Sequence, residues 1–541
     1  MVVNSETSKL GRNSTSECDC RQRITRIMKG DKESIMNCEV QNEFSGAEED
    51  GYVERILSHS RSSLESDAMS ISDGVKESDI SETSRKSGDY RGTLTPNDKE
   101  KTNGIDAMKS SSATKTYDRE AILRKLAGDK CLRKYLLNSA REAQAKIETS
   151  ETKTFEKSED ERLESVVEEL REFLKAIPDG LLHMMTGMSR PGDCGRPADR
   201  KPDWLDMEKL RRGQKFARDH NFSLYLAEML SLMCTYTFQD TLKLMILTGK
   251  TSTRFTAMKR WASAAIRFHH WYCYDPWSKG TKAWKDILAV RASHAAVKHM
   301  VDASTTEETD NAVKIPNLSC PSRDMLLKDF SEACETPAVG QCPFLVKPND
   351  PDRPKGFNQF EMSFTQWQLV GLVICYPQYF GIHDATEEDL DAYCHLWRSI
   401  GYQLGAEDEY NFCRGTLHEI QQLSHDFLDV WVKPNLREVT PEWEHMTRCV
   451  FDGFKLILPY ISFETSVLFV CEILDLKMPR LYSSLSYKAW INHCLMKSFI
   501  YYGMKLSMVV DFVNTKLQRF LDLGERLRPS GWEKIRIKFE G

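Results

Sequence analysis

Tryptophan is absent from the first 203 residues of this 541-residue chain, and residues 1–115 hold only three aromatics, Phe44, Tyr52 and Tyr90. That stretch is filled instead with Ser, Thr, Asp, Glu, Lys and Asn. It buries too little apolar surface to offset the entropy of ordering it, which predicts a disordered tail over 1–115. Also missing is any Cys-x-x-Cys pair among 16 scattered cysteines, and Cys18 and Cys20 are too isolated for a zinc site. Free thiols in a reducing compartment are expected rather than a disulfide framework. No apolar run follows Met1, so no secretory signal is expected. Charge of one sign is lacking too: 74 basic and 80 acidic residues give a net −6, with no pull towards nucleic acid.

Long hydrophobic runs are scarce. Residues 362–382 carry no charged residue and no His, but their strongly apolar part is only LVGLVICY, residues 369–376. A membrane span needs roughly 20 mostly apolar residues. A buried helix broken near Pro377 is expected instead, and LILPYISF at 456–463 is read in the same way. These features predict a soluble, cytoplasmic chain and leave open peripheral contact with a membrane such as the surface of the endoplasmic reticulum.

In the tail, Ser recurs beside basic residues (SHSRSSLESD, SRKSGDY) and Thr95 precedes Pro96. A phosphorylation-tuned segment and a plain solvated linker both fit, and nothing specifies its protein partners. Over 116–195 a helical extension and a loop are expected. Ile122, Leu123 and Leu126, then Leu163, Val166, Val167, Leu170 and Leu174, predict two amphipathic helices. Pro178 should end the second, a Pro/Gly-rich loop follows from Pro191 to Pro197, and Pro202 should open the next helix. Residues 200–525 read as one all-α domain, with a C-terminal tail over 526–541. Helices are expected at 221–247, 252–272, 281–301, 409–431, 441–460, 462–476, 485–502 and 505–524, with a short one near 323–334 inside an irregular interval, 303–360. Leu390, Tyr393, Trp397, Ile400 and Leu404 make a core-facing stripe.

Several motifs fail on spacing. LMILTGKT (244–251) ends like a phosphate-binding loop but has Leu244 where that loop needs Gly. A di-iron bundle needs two Glu-x-x-His motifs, and only Glu442 to His445 is present. His418 and His425 lack zinc-protease spacing, and His269 and His270 point about 100° apart on a helix. Each is expected to be a surface histidine or a satisfied core histidine.

The segment VRASHAAVKHM (290–300) differs. Ile287, Arg291, His294 and Lys298 fall on one helical face, and His294 is bracketed by Ala292, Ser293, Ala295 and Ala296. Small neighbours admit a broad, flat group. Two cations one turn away would suit an anionic group such as a propionate and keep the imidazole neutral, as iron requires. A plain polar stripe fits the same pattern.

PDWLDMEKLRRGQKF (202–216), SLYLAEMLSLMCTYTFQDTLKLMILTGKT (223–251), the Arg260 helix and VRASHAAVKHM are similar, in that order, to the catalytic domain of the latex clearing proteins, the rubber oxygenase family. A fungal endoplasmic-reticulum oxygenase of mycophenolic acid biosynthesis resembles that domain too. The likeness continues through NQFEMSFTQWQLVG (358–371) and LDAYCHLWRSIGYQLGAEDEY (390–410). The resemblance implies a globin-like all-α bundle holding haem b, with His294 as the iron ligand. Arg291 and the upstream Arg260 would be functionally important and would fix the haem or its surroundings; Lys298 is a candidate for a propionate from its place on the helical face alone, not from the resemblance. It further implies an oxygenase that uses O2 to cleave C=C bonds of an apolar, unsaturated lipid or isoprenoid-like substrate. Rubber-cleaving members carry Lys and Thr three and four residues after that upstream Arg, whereas this chain has Ser263 and Ala264. Distal chemistry and rubber as a substrate therefore do not carry over. Two alternatives stay open: a catalytically silent haem- or lipid-binding or scaffold protein of this fold, and a domain whose His294 face packs against protein without haem.

Overall fold

The computed structural model describes residues 117–145, 159–304, 311, 313–338, 341, 354–455, 458 and 460–540; the polar tail expected over 1–115 lies outside them. Helices follow one another: α1 (Arg119–Gly128), α2 (Lys130–Ala145), α3 (Glu159–Phe173), α4 (Asp179–Met185), α5 (Met207–Asp219), α6 (Asn221–Thr235), α7 (Gln239–Leu247), α8 (Arg254–Cys273) and α9 (Lys282–Ala303). Then come α10 (Arg323–Ala333), α11 (Gln359–Cys375), α12 (Glu387–Gln403), α13 (Leu417–Phe427), α14 (Pro441–Phe454), α15 (Phe463–Ile473), α16 (Tyr487–Tyr501), α17 (Ser507–Arg526) and α18 (Pro529–Glu540). One-turn segments fall between some of them. The fold is all-α; among the described residues the one extended pairing recorded is an isolated bridge, Pro191 to Asn358.

Side-chain caps explain many of the starts. Thr253, Thr386, Thr416 and Ser462 each form a reciprocal capping box with the residue three places on, opening α8, α12, α13 and α15. Elsewhere local chemistry departs from the sequence expectation. The N-terminal region holds three helices, α1 to α3, before Pro178, because Asp129 closes α1 and restarts the chain as α2. Helix α3 ends at Phe173, and Pro178 precedes the short α4 rather than stopping α3. Pro202 begins a turn closed by the Leu205 N–H, and α5 starts only at Met207, capped by Asp206. The expected 221–247 helix breaks at Tyr236–Phe238 into α6 and α7. Helix α11 stops at Cys375, just before Pro377, as expected.

Helix α8 is the hub, packing on α5, α9, α14, α17 and α18. The closest crossing is α5 on α12. A Cβ at Gly213 would lie 2.2 Å from the Ala392 carbonyl oxygen, so glycine alone permits that approach. The sequence-predicted stripe on α12 faces this core, with Tyr393, Trp397 and Ile400 fully buried. Residues expected as a C-terminal tail include α18, whose Trp532 and Ile535 pack on Phe255, Met258 and Ala262 of α8. No helix among the described residues is long and apolar enough to cross a membrane.

Candidate functional site around His294

Thr281 caps α9 through the Trp284 N–H, and the fully buried Ile287 fixes which side of the helix faces inward. Arg291, His294 and Lys298 continue that side and are each half-buried, while Ala292, Ser293, Ala295 and Ala296 lie exposed along the outer flank. Although the His294 ring is only half-buried overall, its Nδ1 is sealed from solvent and has no hydrogen-bond partner. The Phe357 ring covers it at 5.0 Å, tilted by 51°. Phe357 sits at φ +59, a left-handed conformation costly for a side chain with a Cβ.

That conformation is held by the loops around it. Gly192 donates its N–H to the Phe357 carbonyl at 3.0 Å. The next residues complete the clasp: Asn358 caps α11, and the fully buried Gln359 ties two loops together. Its amide nitrogen donates to the carbonyls of Pro191, Gly192 and Gly405, and its oxygen accepts the Glu407 N–H at 2.8 Å. The Trp397–Arg398 segment joins in, because Arg398 makes a two-bond pair with Asp408 at 3.0 and 2.7 Å.

Burial, then the positive charge of Arg260, push the His294 pKa down to about 4, while Asp193 pulls the other way. The imidazole is therefore neutral near pH 7. Arg260, on α8, acts on it through its charge. Burial lowers the guanidinium's own pKa, and its recorded hydrogen bond runs to the thioether of Met245. Among the described residues no carboxylate pairs with it. Arg260 thus supplies the cation that the sequence assigned to the flanking residues of α9.

Those flanking residues are engaged elsewhere. Arg291 donates through Nε and Nη2 to Asp193, at 2.6 and 2.5 Å, and through Nη1 to the Gln403 carbonyl. Burial would raise the Asp193 carboxyl, but the Arg291 bonds and the Gly195 N–H hold it below the usual carboxylate range. Lys298 pairs with Asp302 along the helix at 2.7 Å. The charge felt by His294 is therefore that of Arg260, while Arg291 and Lys298 sit in pairs of their own.

Sequence reasoning missed Asp193, Phe357, Gln359 and Arg267. Periodicity offers no signal for the first three, which sit in or beside loops. Arg267 lies two turns after Arg260 on α8 and donates to the Ser263 hydroxyl at 2.5 Å, leaving its buried Nε unpartnered. Most of the histidines set aside have partners of their own, and His418 lies exposed. His270 bonds Asp286 at 2.6 Å, and His445 accepts the Ser319 N–H and meets the Ser252 carbonyl. LMILTGKT runs down α7 and turns at Gly249, so it presents a helix C-terminus where a phosphate needs an N-terminus. A shallow depression, partly open to solvent, lies between the starts of α7 and α11, and neither Arg260 nor His294 lines it.

For a haem iron, the residues present fit in two respects: a neutral imidazole with an unpartnered buried nitrogen, and a neighbouring guanidinium without a carboxylate. The carbonyl or carboxylate that a ligating histidine ordinarily engages through its second nitrogen is not found at either ring nitrogen of His294 among the described residues, and this does not fit.

The fold is all-α, and its helix α9 carries a histidine held neutral by burial and the charge of Arg260. No known family model matches the chain, and no curated protein matches it. Among solved structures, that of a latex clearing protein in the closed state is similar, at 17% identity and a TM-score of 0.40, covering 67% of this chain and 88% of that one. This is a distant structural similarity.

Proposed function

We propose that the chain is a haem-dependent oxygenase acting on an apolar, unsaturated lipid or isoprenoid-like substrate, with O2 as co-substrate. The observation that supports this is the state of His294: neutral, with a buried nitrogen lacking any partner, its pKa lowered by burial and then by the charge of Arg260. A buried polar atom without a partner costs roughly 1–3 kcal/mol, a cost a bound ligand would relieve. The resemblance of the 290–300 and 358–410 segments to the rubber oxygenases points the same way. Haem b, when bound, would supply the iron that activates O2.

The protein's own residues would act around it. His294 would hold the metal. Arg260 would meet an anionic edge of the cofactor, since a guanidinium without a carboxylate suits a propionate. Arg291, locked to Asp193 and Gln403, would position α9 and hence His294. Lys298 is held only by the exposed Asp302, a weak surface pair that a propionate could replace. Phe357 would keep water from the imidazole.

A catalytically silent haem or lipid binder is the second possibility, and one contact favours it. The Ser263 hydroxyl is engaged by Arg267 and Ala264 carries no polar group, so neither can act where the rubber-cleaving enzymes place Lys and Thr.

The test is the absorption spectrum of the purified chain with added haem, wild type beside His294→Ala. A Soret band confined to the wild type, together with O2 uptake on an unsaturated isoprenoid lipid, is expected. A band without uptake would favour the silent binder. No band in either protein, or equal bands in both, would remove His294 as the ligand.

A further inference from the structure

Twelve large apolar side chains are exposed among the described residues, and eight of them fall between Tyr482 and Phe512. Scattered exposed apolar residues are ordinary; this concentration is not. It centres on the corner joining α16 to α17, where Tyr502 is 71% exposed, Leu506 59%, Met508 74% and Phe512 61%.

The corner is held by its inner side. Ile500 and Met504 are buried, the Ile500 carbonyl meets His383 at 3.0 Å, and Tyr501 packs edge-on against Tyr379. Gly381, at φ +78, makes room for Met504: a Cβ there would come within 2.8 Å of it. Further along, Asn514 ties α17 to the junction of α5 and α6 by accepting the Phe222 N–H and donating to the Asp219 carbonyl. The apolar groups therefore project from a fixed support.

Cations accompany them. Lys488, Lys505, Lys516 and Arg519 make no ion pair among the described residues, against one unpaired carboxylate, Asp511. Met508, Phe512, Lys516 and Arg519 fall at offsets of 0, 4, 8 and 11, along one face of α17. The Lys505 ammonium lies 5.9 Å from the Tyr502 ring centre, and that of Lys516 lies 5.4 Å from Phe512. Each lysine thus lies beside an exposed ring, so the ring can enter an apolar phase while the ammonium stays at its polar boundary.

We propose that this corner is a peripheral membrane-docking surface, seating Tyr502, Leu506, Met508 and Phe512 in the interface of an anionic phospholipid bilayer while Lys505, Lys516 and Arg519 engage lipid phosphates. Charge selects this occupant. A twofold contact with a second copy would bring the same cations against each other. A chain with net charge −6 would approach an anionic surface only through such a basic face. The proposal does not depend on haem at His294.

Flotation of the full chain with phosphatidylcholine vesicles containing about one-third phosphatidylserine tests it. Wild type and His294→Ala are expected to float alike with these vesicles, to float poorly with phosphatidylcholine alone, and to detach as salt rises. Lys505→Glu with Lys516→Glu should cut binding at least about tenfold, as should Tyr502→Ser with Met508→Ser and Phe512→Ser. Should the second set unfold, the charge pair decides alone. Absence of flotation on anionic vesicles would overturn the proposal, as would flotation undiminished by the charge pair. So would a dimer in sedimentation that the serine set abolishes, since a second copy would then cover this face.

Discussion

Asp193 grips Arg291 through two of its guanidinium nitrogens, at 2.6 and 2.5 Å, one helical turn before His294. The pair joins the 190–197 loop to α9, and a third bond from Arg291 reaches the Gln403 carbonyl at the end of α12. Three separate stretches of chain are therefore fixed relative to the imidazole by one arginine. The electrostatic cost is small, because Asp193 carries the opposing charge and remains partly open to water.

A double-mutant cycle should detect this clasp. Asp193→Ala and Arg291→Ala are each expected to cost about 1–3 kcal/mol, and the double variant less than their sum by about 1–2 kcal/mol. Urea unfolding of the four proteins measures it. Strict additivity would reduce the pair to a surface contact.

The His294 imidazole makes stability depend on pH in a stated direction. Its pKa is about 4 in the folded chain, against roughly 6.5 when unfolded. Between those values the unfolded chain binds a proton that the folded chain refuses. The contribution is thus complete above pH 6.5 and is lost as pH falls towards 4. Partial exposure of the ring discounts the loss to about 1–2 kcal/mol by pH 5. His395, also pushed to about 4 by burial and by Lys209, acts in the same window. The informative quantity is therefore the difference between wild type and His294→Gln, each unfolded in urea at pH 7 and pH 5. Wild type should lose more stability on acidification; equal losses would show that His294 is solvated.

Much of the fold could be read from the sequence because its helices are amphipathic and capped. The stripe on α12 and the helix carrying His294 follow from apolar spacing alone. Loop geometry could not be read this way, and the site depends on it. The turn that sets Phe357 over His294 is held by bonds distant in sequence, from Gly192 to Phe357 and from Gln359 to Gly405, forty-six residues on. The sequence also named the wrong cations for the right effect. Arg291 and Lys298 lie on the histidine's own helix, where spacing reveals them, but the charge that lowers its pKa comes from Arg260 on a neighbouring helix. Resemblance singled out Arg260, yet no periodicity could show which face of α8 meets α9.

Arg260 is a half-buried cation without a carboxylate, so removing it should help the ligand-free protein. Arg260→Met preserves bulk and should leave stability unchanged or raise it by about 1 kcal/mol or more. It should also raise the His294 pKa towards 6.5 and weaken haem retention roughly tenfold, a change of about 1.4 kcal/mol. Thermal unfolding, an NMR titration of the imidazole and a haem titration report the three effects. A loss of more than about 1 kcal/mol in stability would mean that the guanidinium is a structural element rather than a ligand-facing one.

Gln359 should be the most sensitive residue at this end of the molecule without itself touching the imidazole. Its side chain satisfies three carbonyls and one N–H of two different loops. Gln359→Leu keeps the volume but leaves those groups without water to replace the bonds, costing about 3 kcal/mol or more. Gln359→Glu retains the acceptor for the Glu407 N–H and loses the donors, so it should fall no less far, with a buried carboxylate added. Both should free the Phe357 turn from φ +59, since the bonds holding the turn are weakened. Hydrogen exchange at the Gly192 and Glu407 amides separates this from a general loss of stability. Faster exchange at these two, with the interior of α12 still protected, is expected. Uniform acceleration across the domain would mean that Gln359 supports the whole core and has no particular hold on the turn that covers His294.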